Sequence, residues 1–99
     1  MTNSIGTAIY EQLGKGRFVA MTGAFHLVRL DNGLQFSFKG CKDANKCRIT
    51  LTPRDTYLVE FFKFSPRLGD AALVKEFEDV YADTLQTVFT HYTGLDTKI

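Results

Sequence analysis

The strict alternation of apolar and polar residues in two neighbouring segments most constrains how this chain can fold. Residues 34–39 and residues 46–52 each place an apolar side chain at every second position. Successive side chains of a strand point to opposite faces of a sheet, so each segment would have one apolar and one polar face. Residues 56–64 predict a third strand, which carries apolar residues on both faces. The sequence therefore predicts consecutive antiparallel strands.

Three further elements are predicted before these strands. Residues 5–13 place apolar side chains at helical spacing, which predicts a short helix that a glycine would end. Residues 17–22 are apolar on both faces and predict a buried strand. Residues 25–30 predict another strand. Asn32-Gly33, which follows it, predicts a tight hairpin whose two central residues have positive φ.

The last third of the chain allows two interpretations. In the favoured one, residues 71–77 form a strand and Asp79 caps a helix over residues 80–93; the alternative is one long helix from Ala71. The first is favoured because the apolar stripe at helical spacing becomes regular only after Asp79. Gly94 would end the helix. The stripe comprises Tyr81, Leu85, Val88, Phe89 and Tyr92.

Together these elements predict one α+β domain over residues 1–99. It would have a short N-terminal helix, an antiparallel sheet of four to five strands and a C-terminal helix. Each helix is apolar on one side only, so both are expected to cover the same face of the sheet. The opposite face would then be open to solvent or to a partner. An apolar fraction of 44% is typical of a folded globular chain.

The net charge of +1 conceals an uneven distribution. Residues 15–67 carry ten Lys and Arg against four Asp and Glu, whereas the remaining residues carry two against seven. The basic middle favours an anionic partner, and the simpler alternative is that the acidic ends neutralise it within the fold.

No apolar run approaches the roughly 18 residues of a membrane span. No secretory pattern opens the sequence. We therefore expect a cytoplasmic protein with reduced thiols and no membrane contact.

Basic side chains share the polar face of the alternating strands. The predicted nucleic-acid-binding residues are Lys39, Lys46 and Arg48 on this face, Lys42 in the loop between the strands, and Lys15 and Arg17 at the rim. Such a surface is typical of phosphate contacts, while an ordinary solvated sheet face has the same composition. Tyr57 or Phe61 would supply base stacking unless both belong to the core.

The sequence gives only weak indications of an enzyme or a metal site. Cys41 and Cys47 lack partners at metal-ligand spacing, and His26 and His91 are single and distant. Cys47 fits a small core residue and Cys41 a loop thiol. No nucleophile motif or glycine-rich phosphate loop occurs in the sequence. We expect no enzymatic activity, no metal and no cofactor.

Two segments resemble small uncharacterised proteins encoded by phages and prophages. Residues 12–24 end in Met-Thr-Gly-Ala, and residues 80–95 begin with Val-Tyr-Ala-Asp. That group often has a basic residue where Phe25-His26 stands here. The resemblance covers almost the whole chain and implies a bacterial virus or mobile element as the source, without an assigned activity. In its order of elements the chain also resembles single-strand-binding coactivator-type folds, in which a curved sheet backed by a helix holds nucleic acid.

Two functions are consistent with these observations. The first is a small accessory protein that binds nucleic acid, preferably single-stranded, through the basic sheet face. The second is a protein–protein interaction factor of a mobile element, such as an inhibitor of a host or anti-phage defence protein. Acidic residues predicted near the start of the last helix would either oppose its dipole or dock a basic partner. These are Glu76, Glu78, Asp79 and Asp83. Unpaired sheet edges would allow a homodimer in either case.

Overall fold

The computed structural model describes residues 5–39, 43–65, 67 and 69–94. In chain order its elements are α1 (Ile5–Leu13), α2 (Lys15–Thr22), β1 (Phe25–Leu30), β2 (Gly33–Ser37), β3 (Lys46–Leu51), β4 (Tyr57–Ser65), β5 (Asp70–Val80), a 3-10 turn (Ala82–Thr84) and α3 (Leu85–Thr93). The predicted α+β class is confirmed, with its N-terminal helix, antiparallel sheet and C-terminal helix. The favoured interpretation of residues 71–77 as a strand is also confirmed.

All five strands lie in one sheet in chain order, each antiparallel to its neighbour. The register aligns Leu34 with Ile49 and Ile49 with Val59 across three strands, and the row continues to Phe77 in β5. Leu34, Ile49 and Val59 are each 1% exposed, so this row belongs to the core. Because side chains alternate along a strand, the row on either side of it faces away from the core.

All three helices pack on the same side of the sheet. The ring of Phe89 in α3 lies 5.3 Å from that of Phe38 and 5.8 Å from that of Phe36. Phe18 of α2 joins this cluster, with its ring 5.1 Å from Phe36 and 5.5 Å from Phe89. Leu13 of α1 is fully buried in the same core. The helices therefore cover one sheet face, as predicted, and no helix of the described residues covers the other.

The prediction of a strand over residues 17–22 is wrong, because these residues belong to α2. Gly14 precedes this helix with a φ of 116°. Gly23 follows it with a φ of 70° and donates its N–H to the Val19 carbonyl at 2.9 Å. Left-handed conformations of this kind favour glycine, and a glycine after the last turn is a common helix end. The apolar residues here are consecutive, so they fit the two-residue period of a strand and the 3.6-residue period of a helix equally well. The glycine at each end favours the helix.

The predicted helix over residues 80–93 begins later than expected. β5 continues past Asp79, which lies in the strand with a φ of 55° and does not cap a helix. The 3-10 turn leads into α3 instead. There the Tyr81 N–H donates to Thr84 Oγ1 at 3.2 Å and the Thr84 hydroxyl donates to the Tyr81 carbonyl at 2.9 Å. Tyr81 is 62% exposed and does not belong to the buried stripe, whose other members pack in or against the core. Gly94, with a φ of 74°, ends the helix as predicted.

The predicted hairpin joins β1 and β2, although its backbone differs from the expectation. Leu30 pairs with Gly33, so Asp31 and Asn32 form the turn. None of Asp31, Asn32 and Gly33 is among the residues with positive φ. Glycine is required at position 33 for a different reason, because a Cβ there would collide with the carbonyl oxygen of Ile49. Gly33 thus permits the close approach of β2 and β3.

Candidate functional site

The uncovered side of the sheet carries most of the predicted polar side chains. We call it the outer face, and it comprises Phe25, Val28, Gln35, Ser37, Lys46, Arg48, Thr50, Leu58, Glu60, Phe62, Phe64, Leu73 and Glu76. One row across it pairs Ser37 with Lys46 and Lys46 with Phe62. The next row pairs Arg48 with Glu60. The register thus brings cations, aromatic rings and carboxylates together on one surface.

Three basic side chains each lie over an aromatic ring, two of them on the outer face and the third, Lys39, just after the end of β2. The pairs are Lys39 with Phe25 (Nζ to ring centroid 5.5 Å), Lys46 with Phe64 (Nζ to ring centroid 5.3 Å) and Arg48 with Phe62 (guanidinium carbon to ring centroid 5.1 Å). A cation within about 6 Å of a ring centroid is attracted by the negative ring face. Three of the predicted site residues therefore stand beside aromatic rings.

The aromatic residues proposed for stacking from the sequence lie in the core. Tyr57 is 8% exposed and Phe61 is fully buried. The rings beside the cations include those of Phe62 and Phe64. In the sequence these two residues alternate with Tyr57 and Phe61, so they lie on the opposite face of the same strand. Only the register with β3, which places Phe62 beside Lys46, decides which phase faces outward.

Glu60 neutralises part of the predicted basic surface. The Nε atom of Arg48 lies 3.1 Å from Oε1 of Glu60, and the two side chains are 40% and 13% exposed. Lys39 and Lys46 form no ion pair with any described residue. These two lysines therefore supply most of the unpaired positive charge of this surface.

A cleft of about 510 Å³ opens at one end of the outer face. It is lined by Phe25, His26, Ser37, Phe38, Lys39, Asn45, Lys46 and Phe64. Asn45 fixes one wall, because its side-chain amide donates to the Phe64 carbonyl at 2.9 Å and accepts the Phe64 N–H at 2.7 Å. Its backbone N–H also donates to the Phe62 carbonyl at 2.9 Å. No pattern singles out Asn45 in the sequence, since an asparagine before a strand is typical of many loops.

The side chains of the remaining predicted site residues are not among those that the structure describes. Lys42 and Cys41 lie outside the described residues. Lys15 and Arg17 lie in the first turn of α2, and this helix packs through Phe18 on the covered side of the sheet. A contribution of Lys15 and Arg17 to the binding surface stays a prediction.

The described residues considered for chemistry lie in three different elements. Cys47 is fully buried, in agreement with its assignment to the core. Burial raises the pKa of the Cys47 thiol, and the negative charge of Glu60 raises it further. His26 lies in β1, whereas His91 lies in the last turn of α3. Within the described part of the chain, no three His, Cys, Asp or Glu side chains are grouped so that they could hold a metal ion.

Three of the four acidic residues predicted near the start of the last helix lie in β5 instead. Glu76, Glu78 and Asp79 are exposed on β5, and Asp83 is exposed in the 3-10 turn. The charge of the three β5 residues therefore borders one edge of the sheet, whereas Asp83 directly precedes the N-cap Thr84 and lies near the positive end of the α3 dipole, as predicted.

Comparison of the chain with protein-family models, with curated proteins and with solved structures finds no match. Among the described helices, none has the length and apolar character needed to cross a membrane. The function must therefore be inferred from the outer face and its cleft.

Proposed function

We propose that this chain is a small, non-enzymatic accessory protein of the phage type that binds single-stranded nucleic acid on its outer face. The alternation of cations and aromatic rings on that face carries the proposal. Lysine and arginine side chains contact backbone phosphates, and aromatic ring faces stack on bases with little regard to sequence. Lys46 and Phe64 offer both kinds of contact from adjacent strands, with 5.3 Å between Nζ and the ring centroid.

A single strand fits this surface better than a duplex. Ring contacts require bases that are unstacked and turned toward the protein, and the bases of a duplex are stacked on each other. Phe25 is 36% exposed, and Phe62 and Phe64 are half-buried, so their rings are reached only from the outer face. A duplex would be left with phosphate contacts to few unpaired cations.

The proposal is tested by fluorescence anisotropy with a labelled single strand of about ten nucleotides and with the matching duplex. Affinity is measured at about 50 and about 200 mM salt. Lys46→Glu should weaken binding of the single strand at least about tenfold at the lower salt, because a phosphate contact is replaced by repulsion. Lys75→Glu is the control with the same charge change, since Lys75 pairs with buried Phe61 and so belongs to the covered side. No binding at low salt, or equal losses in both variants, contradicts the proposal.

One observation favours the second hypothesis, that the chain docks on another protein. β5 is an edge strand, and its Leu73 and Val74 are 50% and 43% exposed. An uncovered edge can accept a strand from a partner, and exposed Glu76 and Glu78 would favour a basic one. A pull-down from host lysate with the wild type and with Leu73→Lys tests this. A partner lost on substitution, in a protein that does not bind oligonucleotides, would support docking over nucleic-acid binding.

A further inference from the structure

We infer that the cleft at the end of the outer face is a subsite for one unstacked nucleotide. The base would contact the rings of Phe25 and Phe64, and the phosphates on either side of it would meet Lys39 and Lys46. The volume of about 510 Å³ lies within the roughly 300–1,000 Å³ of small-molecule sites. The inference rests on the proposed function and adds to it a defined position where the strand is anchored.

Two rings of the cleft, those of Phe25 and Phe64, are each covered by a lysine in the free protein. Lys39 Nζ lies 5.5 Å from the Phe25 centroid, and Lys46 Nζ lies 5.3 Å from the Phe64 centroid. A phosphate binds an ammonium group through charge-assisted hydrogen bonds, which are stronger than an exposed contact with a ring. A phosphate would therefore draw the ammonium away and free the ring face for a base. Phosphate binding and base stacking are coupled at each pair in this scheme.

Asn45 acts as a positioning residue in the cleft. Its amide is engaged with the backbone of Phe64 on both sides, at 2.9 Å and 2.7 Å, and so fixes where the Phe64 ring lies. Recognition would then rest on ring stacking and phosphate charge more than on hydrogen bonds from Asn45 to a base edge. We expect a modest base preference that follows stacking strength.

The test uses a single strand that carries one fluorescent 2-aminopurine, whose emission falls when it stacks. Phe64→Leu and Phe25→Leu should each weaken binding about fivefold or more and reduce the quenching, with the salt dependence unchanged. Lys46→Met should instead make the slope of log affinity against log salt less negative by about 0.7. Phe77→Leu is the matched control, because Phe77 is a half-buried ring that pairs with buried Val59 on the covered side of the sheet and does not line the cleft.

Each outcome decides the inference. A wild type that does not bind the strand overturns the proposed function and the inference with it. A wild type that binds, with affinity and quenching unchanged in Phe64→Leu and Phe25→Leu, overturns the inference alone. Equal losses in Phe77→Leu would show that the loss comes from removal of any partly buried ring and would also overturn the inference. If Phe64→Leu fails to fold by circular dichroism, Phe25→Leu on the exposed edge strand decides the question.

Discussion

Replacing Glu60 with glutamine should make the protein bind single strands more tightly. Glu60→Gln preserves the size of the side chain but removes the charge that holds Arg48 at 3.1 Å. Arg48 would then be free to contact a phosphate on the same face as Lys46. Most substitutions near a binding surface weaken binding, so a gain would be specific to this ion pair.

The size of the effect follows from counterion release. Each phosphate contact with a single strand contributes about −0.7 to the slope of log affinity against log salt. Lys39 and Lys46 alone predict a slope of about −1.4, and the addition of Arg48 predicts about −2.1. Between about 50 and 200 mM salt, the wild type should lose about sevenfold in affinity and the variant about 18-fold. If the variant and the wild type bind equally at about 1 M salt, the additional slope of about −0.7 makes the variant bind about eightfold more tightly than the wild type at about 50 mM.

Anisotropy titrations across a salt series measure both the slope and the affinity. Glu11→Gln on α1 changes the net charge equally but lies exposed on the helix side of the sheet, so its slope should match the wild type. The Arg48–Glu60 pair is part-buried, and a hydrogen bond between charged groups contributes about 1.5–3 kcal/mol to stability, so urea unfolding should show that Glu60→Gln is less stable but still folded. A slope unchanged in Glu60→Gln, or equal gains in both variants, would refute the role of the Arg48–Glu60 pair.

Two further predictions concern stability. Gly33→Ala should lower the free energy of unfolding by about 1–3 kcal/mol or more, because the added methyl group meets backbone atoms of Ile49 that cannot rotate away. Gly16→Ala in α2, where an added Cβ meets nothing within 4 Å, should raise it by roughly 0.5–1 kcal/mol; equal effects in urea unfolding would contradict this reasoning. Burial raises the pKa of Cys47, so the folded protein keeps this thiol protonated at pH values above its ordinary pKa of about 8.5. The unfolded chain loses the proton there, so the free energy of unfolding falls as pH rises above about 8.5, by up to about 1.4 kcal/mol per pH unit. Urea unfolding at about pH 8 and about pH 10 should show a smaller alkaline loss in Cys47→Ala than in the wild type, and an equal loss would count against the assignment.

The strands could be predicted because period-two alternation is a local property of the chain. In β2 and β3, alternation alone identifies Leu34, Phe36, Cys47 and Ile49 as core residues, and all four are buried. Residues 17–22 lack that contrast, since their apolar residues are consecutive. A helix rather than a strand forms there because of the glycine at each end and the packing of its side chains in the core.

The candidate site was predictable only in its charged half. Lys46 and Arg48 share a phase in β3, which places them on one face whatever the partner strands are. The contribution of Phe64 was not predictable, because both phases of β4 contain aromatic residues. The choice between the phases depends on which residues of β3 they pair with.

By itself, the sequence determined an antiparallel sheet between terminal helices and the side of β3 on which Lys46 and Arg48 lie. The tertiary structure alone decided what these side chains meet. Lys46 lies over the ring of Phe64, and Arg48 is paired with Glu60. The physical reason is that successive side chains of a strand alternate between the two sheet faces, so the face of each side chain follows from its position in the chain. Its charge and ring partners come from another strand, and the register of the sheet selects them.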